Sequence, residues 1–242
     1  MYLCGVSFDF MISRNTYLEQ LIALRDQKLI KVVTGIRRCG KSTLFELFRD
    51  ILKSDGIAAG NIHSYNFEER DNQSFSSWTD IYDSIVSKFT ENTNYVFLDE
   101  VQLVPQFEKL VDALFVKKNV DLYITGSNAY LLSSELATLL SGRYIAINLH
   151  PYSFAEYVSA FPMESRTDKL FHQYINGSSF PEAVNIVRTS PDMVNAYLRS
   201  LYETIVVKDI VKRRKLRKFD SLQRIIDFIF YNNLSFRSLN CT

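Results

Sequence analysis

Apolar residues in this chain follow two rhythms that alternate along its first 150 positions. Short, nearly unbroken apolar runs read as buried strands: "LIKVVT" (Leu29 to Thr34), "NIHSYNF", "YVFLDE", "DLYITGS" and "YIAINL" (Tyr144 to Leu149). Between them the spacing changes to that of one helical face. Tyr17, Leu18, Leu21 and Leu24 predict a first helix, with Thr16 and Glu19 at capping-box spacing. Leu44, Phe45, Leu47, Phe48, Ile51 and Leu52 predict a long, deeply packed helix starting at Lys41. Trp78, Ile81, Tyr82, Ile85 and Phe89 mark another. Phe107, Leu110, Val111 and Leu114 mark a fourth, whose first turn suits Pro105. Strands separated by helices predict an α/β fold, a parallel sheet covered by helices on both faces.

Beyond Pro151 the strand signal stops. Helical segments follow, broken by "FPMESRTD", "NGSSFPE" and "TSPD", each with turn or capping residues. Ser190 and Pro191 predict a helix start, and Val194, Tyr197, Leu198, Leu201 and Ile205 continue it toward the run "KDIVKRRKLRK". A short helix is expected from about Ser221 to Phe230. There is no internal repeat and no Gly/Ser-rich linker.

Composition narrows the function classes. A chain of 242 residues suffices for one large α/β domain with a helical appendage. Its 28 Lys and Arg against 27 Asp and Glu exclude a wholly basic nucleic-acid coat and an acidic tail protein, so any basic surface is local. Cys4, Cys39 and Cys241 stand too far apart for a metal-ligand motif or a disulfide framework, which points to a reducing, cytoplasmic setting. "MYLCGVSFDFM" lacks a basic leader and is too short for a signal peptide or a membrane span, so no membrane association is expected.

The densest chemistry lies in "TGIRRCGKST". Gly35, Gly40, Lys41 and Ser42 fit G-x-x-x-x-G-K-[ST] between a predicted strand and a predicted helix, where a polyphosphate can be wrapped by backbone N–H groups. Ile36, Arg37, Arg38, Cys39 and Thr43 complete the loop. Lys41 would reach the β- and γ-phosphates, and Ser42 would offer its hydroxyl to Mg²⁺. "YVFLDE" supplies a second, independent motif: an apolar strand ending in Asp99, a metal-binding carboxylate, and Glu100, a general base for an attacking water. At the end of the fourth strand Ser127 or Asn128 would orient that water, with Asn128 preferred, although a helix N-cap explains either residue as well. Arg143 would neutralise charge on the transferred phosphoryl group, in cis or across a subunit interface; the competing reading is a surface arginine that caps the sheet edge or pairs with a carboxylate.

From Lys208 to Lys218 there are seven basic residues and one acid, Asp209. They would attract DNA phosphates or an acidic partner, but without interleaved aromatics they read more simply as a solvated helix face. His63, His150 and His172 share no spacing that suggests a metal or a dyad.

"GIRRCGKST", "FLDEVQ", "YITGSNAYLLSSELATLLSGRY" and "LHPYSFAEY" together resemble the prokaryotic AAA-type ATPases of the archaeal and bacterial ATPase family, over about Ser13 to Phe230. The resemblance implies a P-loop sheet of order 5-1-4-3-2. It makes Lys41 and Ser42 the Walker A pair and Asp99 and Glu100 the Walker B pair. It implies an ATPase core over 13–150, a helical lid over 151–219 and the start of a winged helix over 220–242, preceded by an extension over 1–12. Members usually carry a further nuclease-like domain, so the resemblance also implies a C-terminal truncation. The expected function is Mg²⁺-dependent ATP hydrolysis that moves a protein partner or appended domain, with a homo-oligomer allowed. The alternative is a nucleotide-latched regulatory or DNA-binding module with negligible turnover. No N-K-x-D guanine signature is present.

Overall fold

Five strands, β1 (Ile30–Gly35), β2 (Ile62–Asn66), β3 (Asn94–Asp99), β4 (Val120–Gly126) and β5 (Tyr144–Leu149), pair in parallel in the order β2-β3-β4-β1-β5. This is the expected 5-1-4-3-2 order counted from the opposite edge. The computed structural model describes residues 12–69, 75, 77–126, 142–205, 222, 224–229 and 231–232. The helices are α1 (Asn15–Leu24), α2 (Lys41–Ser54), α3 (Trp78–Val86), α4 (Phe107–Val116), α5 (Phe154–Ser159), α6 (Thr167–Gly177), α7 (Pro181–Thr189) and α8 (Val194–Thr204).

The two-residue alternation of a strand divides the core into two layers. Val32, Val96, Leu98, Leu122 and Ile124 face α3 and α4 and pack with Ile81, Ile85, Leu110, Val111 and Leu114. Val33, Tyr95, Phe97, Tyr123, Ile147 and Leu149 face the other way, against Leu18 and Leu21 of α1 and Leu44, Phe45, Phe48 and Leu52 of α2. On that side Phe97 stacks on Tyr123 at 4.8 Å, Phe45 meets Phe97 edge-on at 5.1 Å and Phe48 sits 5.2 Å from Tyr123. Four rings thus fix α2 against the centre of the sheet, and the loop entering α2 is fixed with it.

Two helix starts differ from the sequence reading. Thr16 does not cap α1; Arg14 stands at the N-cap position without a side-chain cap. The reason is that Arg14 is buried and held from several sides. Its guanidinium donates to the His150 carbonyl at 2.5 Å, pairs with Glu156 at 2.9 Å and lies 4.9 Å from the ring centroids of both Tyr17 and Tyr152. These contacts set where α1 begins more strongly than one hydroxyl cap. Pro105 likewise precedes α4, whose N-cap is Gln106, because a 3₁₀ turn over Val101–Leu103 occupies the approach.

Contacts along the chain define two units, one up to Asn185 and one from Ile186. In the first, α5, α6 and α7 close around Tyr157, Ala160, Leu170 and Val184 together with Ile12. In the second, Ser190 precedes a 3₁₀ turn over Pro191–Met193 that leads into α8, and backbone at 222, 224–229 and 231–232 is helical, covering most of the expected last helix. The run from Lys208 to Lys218 lies outside the described residues. No described helix is long and apolar enough to cross a membrane.

Where the strands begin, a buried ion pair sits between β1 and β4. Lys31 and Asp121 contact directly with side chains 0% and 2% exposed. Further hydrogen bonds support the pair: Lys31 donates to the Gln27 carbonyl at 2.7 Å, and Asp121 accepts from the Tyr123 hydroxyl at 2.8 Å and from the Asp26 N–H at 2.9 Å. Burial, followed by the neighbouring Asp121 carboxylate, pushes the Tyr123 phenol far up, so it stays a neutral donor. Asp121→Ala would strand the Lys31 ammonium in the sheet and cost about 3–5 kcal/mol, whereas Lys31→Met with Asp121→Leu recovers most of that loss. Urea unfolding of the two variants measures both values.

Candidate active site

All five strands point their C-terminal ends to one edge of the sheet, and the register aligns them there: Thr34 lies opposite Gly126, Gly35 opposite Leu149, and Asn66 opposite Asp99. A sheet buried on both faces leaves its ends as the places where an exchangeable charged ligand can reach it. Ligands of open α/β sheets accordingly bind at this edge.

The loop from Gly35 to Gly40 is shaped by contact as much as by flexibility. A Cβ on Gly35 would lie 2.4 Å from the Leu149 carbonyl oxygen and 2.6 Å from Cys39 Sγ, so only glycine lets β1 run beside β5 and then turn. Cys39 is fully buried, its N–H donates to the Ile36 carbonyl at 3.2 Å, and burial raises its thiol pKa. It acts here as a small apolar plug. Gly40 caps α2 with φ 97°, in the left-handed region that favours glycine. The first-turn N–H groups of α2 have no helical carbonyl to bond and carry the positive end of the helix. Ile36 and Arg38 are exposed, and Arg37 pairs with Glu68 at 3.1 Å.

Lys41, Ser42, Asp99 and Glu100 come together at the head of this helix. Lys41 Nζ stands 3.1 Å from Glu100 Oε1, both side chains largely buried. Ser42 lies beside the Asp99 carboxylate and favours its ionised form. Burial raises the Asp99 pKa, and Ser42 and the hydrogen bond from Thr125 oppose that rise. A hydroxyl and a carboxylate side by side are two hard oxygen donors, the set that suits Mg²⁺. An open cleft of about 260 Å³ lies over the group, lined by Arg38, Lys41, Thr43, Glu68, Glu100 and Pro181 among others.

Other expected residues lie elsewhere. Arg143 precedes β5 at the opposite edge, where its carbonyl accepts from the Ile30 N–H at 2.9 Å and its guanidinium meets Asp112 at 3.1 Å, both side chains half exposed. Six strand steps, roughly 20 Å, separate it from the level of Gly35. In this structure its guanidinium is held by Asp112 at that end of the sheet. Ser127 and Asn128 fall outside the described residues. His63 is buried and bonded to Asn94 at 3.0 Å, a packing role; His150 and His172 are exposed.

Two residues that the motifs do not name hold the carboxylates. Thr125 on β4 donates its hydroxyl to Asp99 and accepts the Glu100 N–H at 2.9 Å. Gln102 donates its amide to Glu100 Oε2 at 2.5 Å. Thr125 was within reach of register reasoning, since Leu98 pairs with Ile124 and the next residue on each strand is Asp99 and Thr125. Gln102 had no such signal, because Glu100 adopts a left-handed backbone (φ 52°, ψ 46°) that only the structure reveals. Thr125→Val keeps the shape but unpairs both the Glu100 N–H and an Asp99 oxygen; a loss of about 1–3 kcal/mol is expected in urea unfolding, with Thr125→Ser near the parent.

Comparison with known proteins places the fold and the family. The family described as an AAA domain matches residues 27–158. An uncharacterised Haemophilus influenzae protein is 40% identical over 227 residues, covering 92% of this chain and 56% of the relative. One from Methanocaldococcus jannaschii is 28% identical over 226 residues, covering 87% and 49%. The chain therefore spans about half the length of these relatives. Among solved structures, Cdc6p from Pyrobaculum aerophilum superposes with TM-score 0.50 at 13% identity, over 77% of this chain and 62% of that one. The Aeropyrum pernix Orc1 protein, solved in complex with DNA, gives 0.51 at 12%, over 77% and 61%. At such identities these two likenesses concern the fold alone. The matched span takes in the phosphate loop, both carboxylates and all five strands, and the chain belongs to the AAA-domain family, the archaeal and bacterial AAA-type P-loop ATPases.

Proposed function

We propose that this chain binds ATP with Mg²⁺ at the Gly35–Thr43 loop and hydrolyses it, and that the cycle moves a protein partner or an attached domain. The observation that carries the reading is the convergence of Lys41, Ser42, Asp99 and Glu100 at one helix N-terminus, with Lys41 and Glu100 joined by an ion pair of 3.1 Å and Ser42 beside Asp99, where it favours the ionised carboxylate. The candidate phosphate-binding cation and the candidate base are in direct contact. Ser42 and Asp99 would hold Mg²⁺, which neutralises charge on the phosphates when bound.

The steps follow from the side chains. Backbone N–H groups of the loop and the first turn of α2 bind the polyphosphate, and Lys41 turns from Glu100 to the β- and γ-phosphates. Glu100, left with a free oxygen, accepts a proton from water as that water attacks the γ-phosphorus. The bond from the γ-phosphorus to the bridging oxygen breaks, releasing ADP and inorganic phosphate. Asn128 would orient the water. Arg143, facing away from its own site, would serve only a neighbouring subunit, which makes a homo-oligomer the working arrangement. Residues 13–150 would form the ATPase core, 151–219 the lid that transmits motion and 220–242 the start of a winged helix. A cytoplasmic setting suits such a chain, and DNA contact through Lys208 to Lys218 would be an accessory feature.

The test is ATP turnover with Mg²⁺ beside two variants. Glu100→Gln should cut turnover by about 100-fold or more while ATP still binds, and Lys41→Ala should weaken binding itself by more than about tenfold. Removing Mg²⁺ with EDTA should abolish turnover, and adding it back should restore it. A parent chain that binds ATP yet never turns over would reverse the reading in favour of a nucleotide latch.

A further inference from the structure

We infer that Gln102 is a positioning residue that keeps the Glu100 carboxylate aimed at the phosphate side of the cleft after Lys41 has left it, an inference that rests on the hydrolytic reading proposed above. The two Glu100 oxygens have different partners. Oε1 faces Lys41 at 3.1 Å and Oε2 accepts from the Gln102 amide at 2.5 Å. When a triphosphate draws Lys41 away, Oε1 is vacated and becomes the oxygen that receives the water proton. Oε2 remains tethered. Without that tether a glutamate with three free torsions would lose its aim at the moment when Lys41 ceases to hold it.

The backbone around the pair is shaped to make this contact. Glu100 lies in the left-handed region, an unfavourable place for a side chain with a Cβ, and the turn that follows is closed by Leu103 N–H to the Glu100 carbonyl and Val104 N–H to the Val101 carbonyl, each 3.0 Å. This geometry folds residue 102 back over residue 100. Gln102 also bears a cost of its own: its Oε1 is buried with no hydrogen-bond partner among the described residues. A carboxylate accepts and never donates, so Glu100 dictates which end of the amide faces it and leaves the carbonyl stranded. Were position 102 needed for packing alone, an apolar side chain of the same length would fill it with no orphaned oxygen. Two local penalties at one turn, both borne where a single hydrogen bond to the candidate base is made, mark a functional constraint.

Gln102→Met keeps length and removes the donor; Gln102→Glu keeps shape and replaces the donor with an acceptor. Both should lower kcat by about 10- to 100-fold with KM and the affinity for a fluorescent ATP analogue within about twofold of the parent. In a Glu100→Gln background, Gln102→Met should cause no further fall in single-turnover rate, because the two residues act as a unit. Unchanged kcat in Gln102→Met, a loss carried by KM instead, or full additivity with Glu100→Gln would overturn the inference while leaving the ATPase reading intact. If the methionine variant melts early, Gln102→Glu decides on the same criteria. A parent chain that binds the analogue but shows no turnover would remove the hydrolytic reading, and this inference with it.

Discussion

Between the carbonyl oxygen of Leu149 and the sulfur of Cys39 there is no space for a side chain at Gly35, and the site is arranged around that constraint. The close approach lets β5 pair with β1 along its whole length, from Ile30 opposite Tyr144 to Gly35 opposite Leu149. It also forces the chain to turn at once at the sheet edge, so that α2 starts directly above the end of β1. The four-ring cluster of Phe45, Phe48, Phe97 and Tyr123 then holds α2 at that height. A helix N-terminus is thereby fixed beside the ends of β3 and β4, where Asp99 and Thr125 stand. Packing far from any charge thus decides how the charged groups meet.

Several features that usually cost stability stand together at this edge. Asp99 is a buried carboxylate, Glu100 has a left-handed backbone, Arg38 shares that unusual φ at 68°, and the Gln102 carbonyl has no described partner. Stable folds tolerate such costs where a ligand or a reaction requires them. Thr125 reduces the cost by serving both carboxylate residues with one hydroxyl, donating to the side chain of Asp99 and accepting from the backbone of Glu100.

Strong periodicity made the scaffold legible before any coordinates. The apolar runs located all five strands to within about a residue, and Gly35, Gly40, Lys41 and Ser42 announced the phosphate loop because backbone wrapping leaves few alternatives in sequence. What stayed hidden depended on tertiary contact. The start of α1 follows from a buried guanidinium held between two tyrosines and a glutamate, which outweighs the local capping signal of Thr16 and Glu19. Arg143 read as a neighbour of the phosphates from its place before β5, yet parallel strands put the beginning of β5 and the end of β1 at opposite edges. Gln102 was invisible because its role arises from a backbone turn that no residue type at position 100 would suggest.

Two lysine–carboxylate pairs, one at each end of the sheet, show how similar chemistry is turned to opposite ends. Lys31 and Asp121 are sealed from solvent and further bonded by Gln27, Tyr123 and Asp26, so a ligand has no access to the pair. Lys41 and Glu100 are held as closely, but the pair opens on a cleft of about 260 Å³, and an incoming polyphosphate presents more negative charge than a single carboxylate. Coulomb attraction at short range in a partly dry site favours the more highly charged partner. The first pair therefore acts as a fastening, and under the proposed function the second is an exchangeable contact. The difference lies in solvent access and in how many hydrogen bonds remain to be made, since the ionic groups themselves are the same.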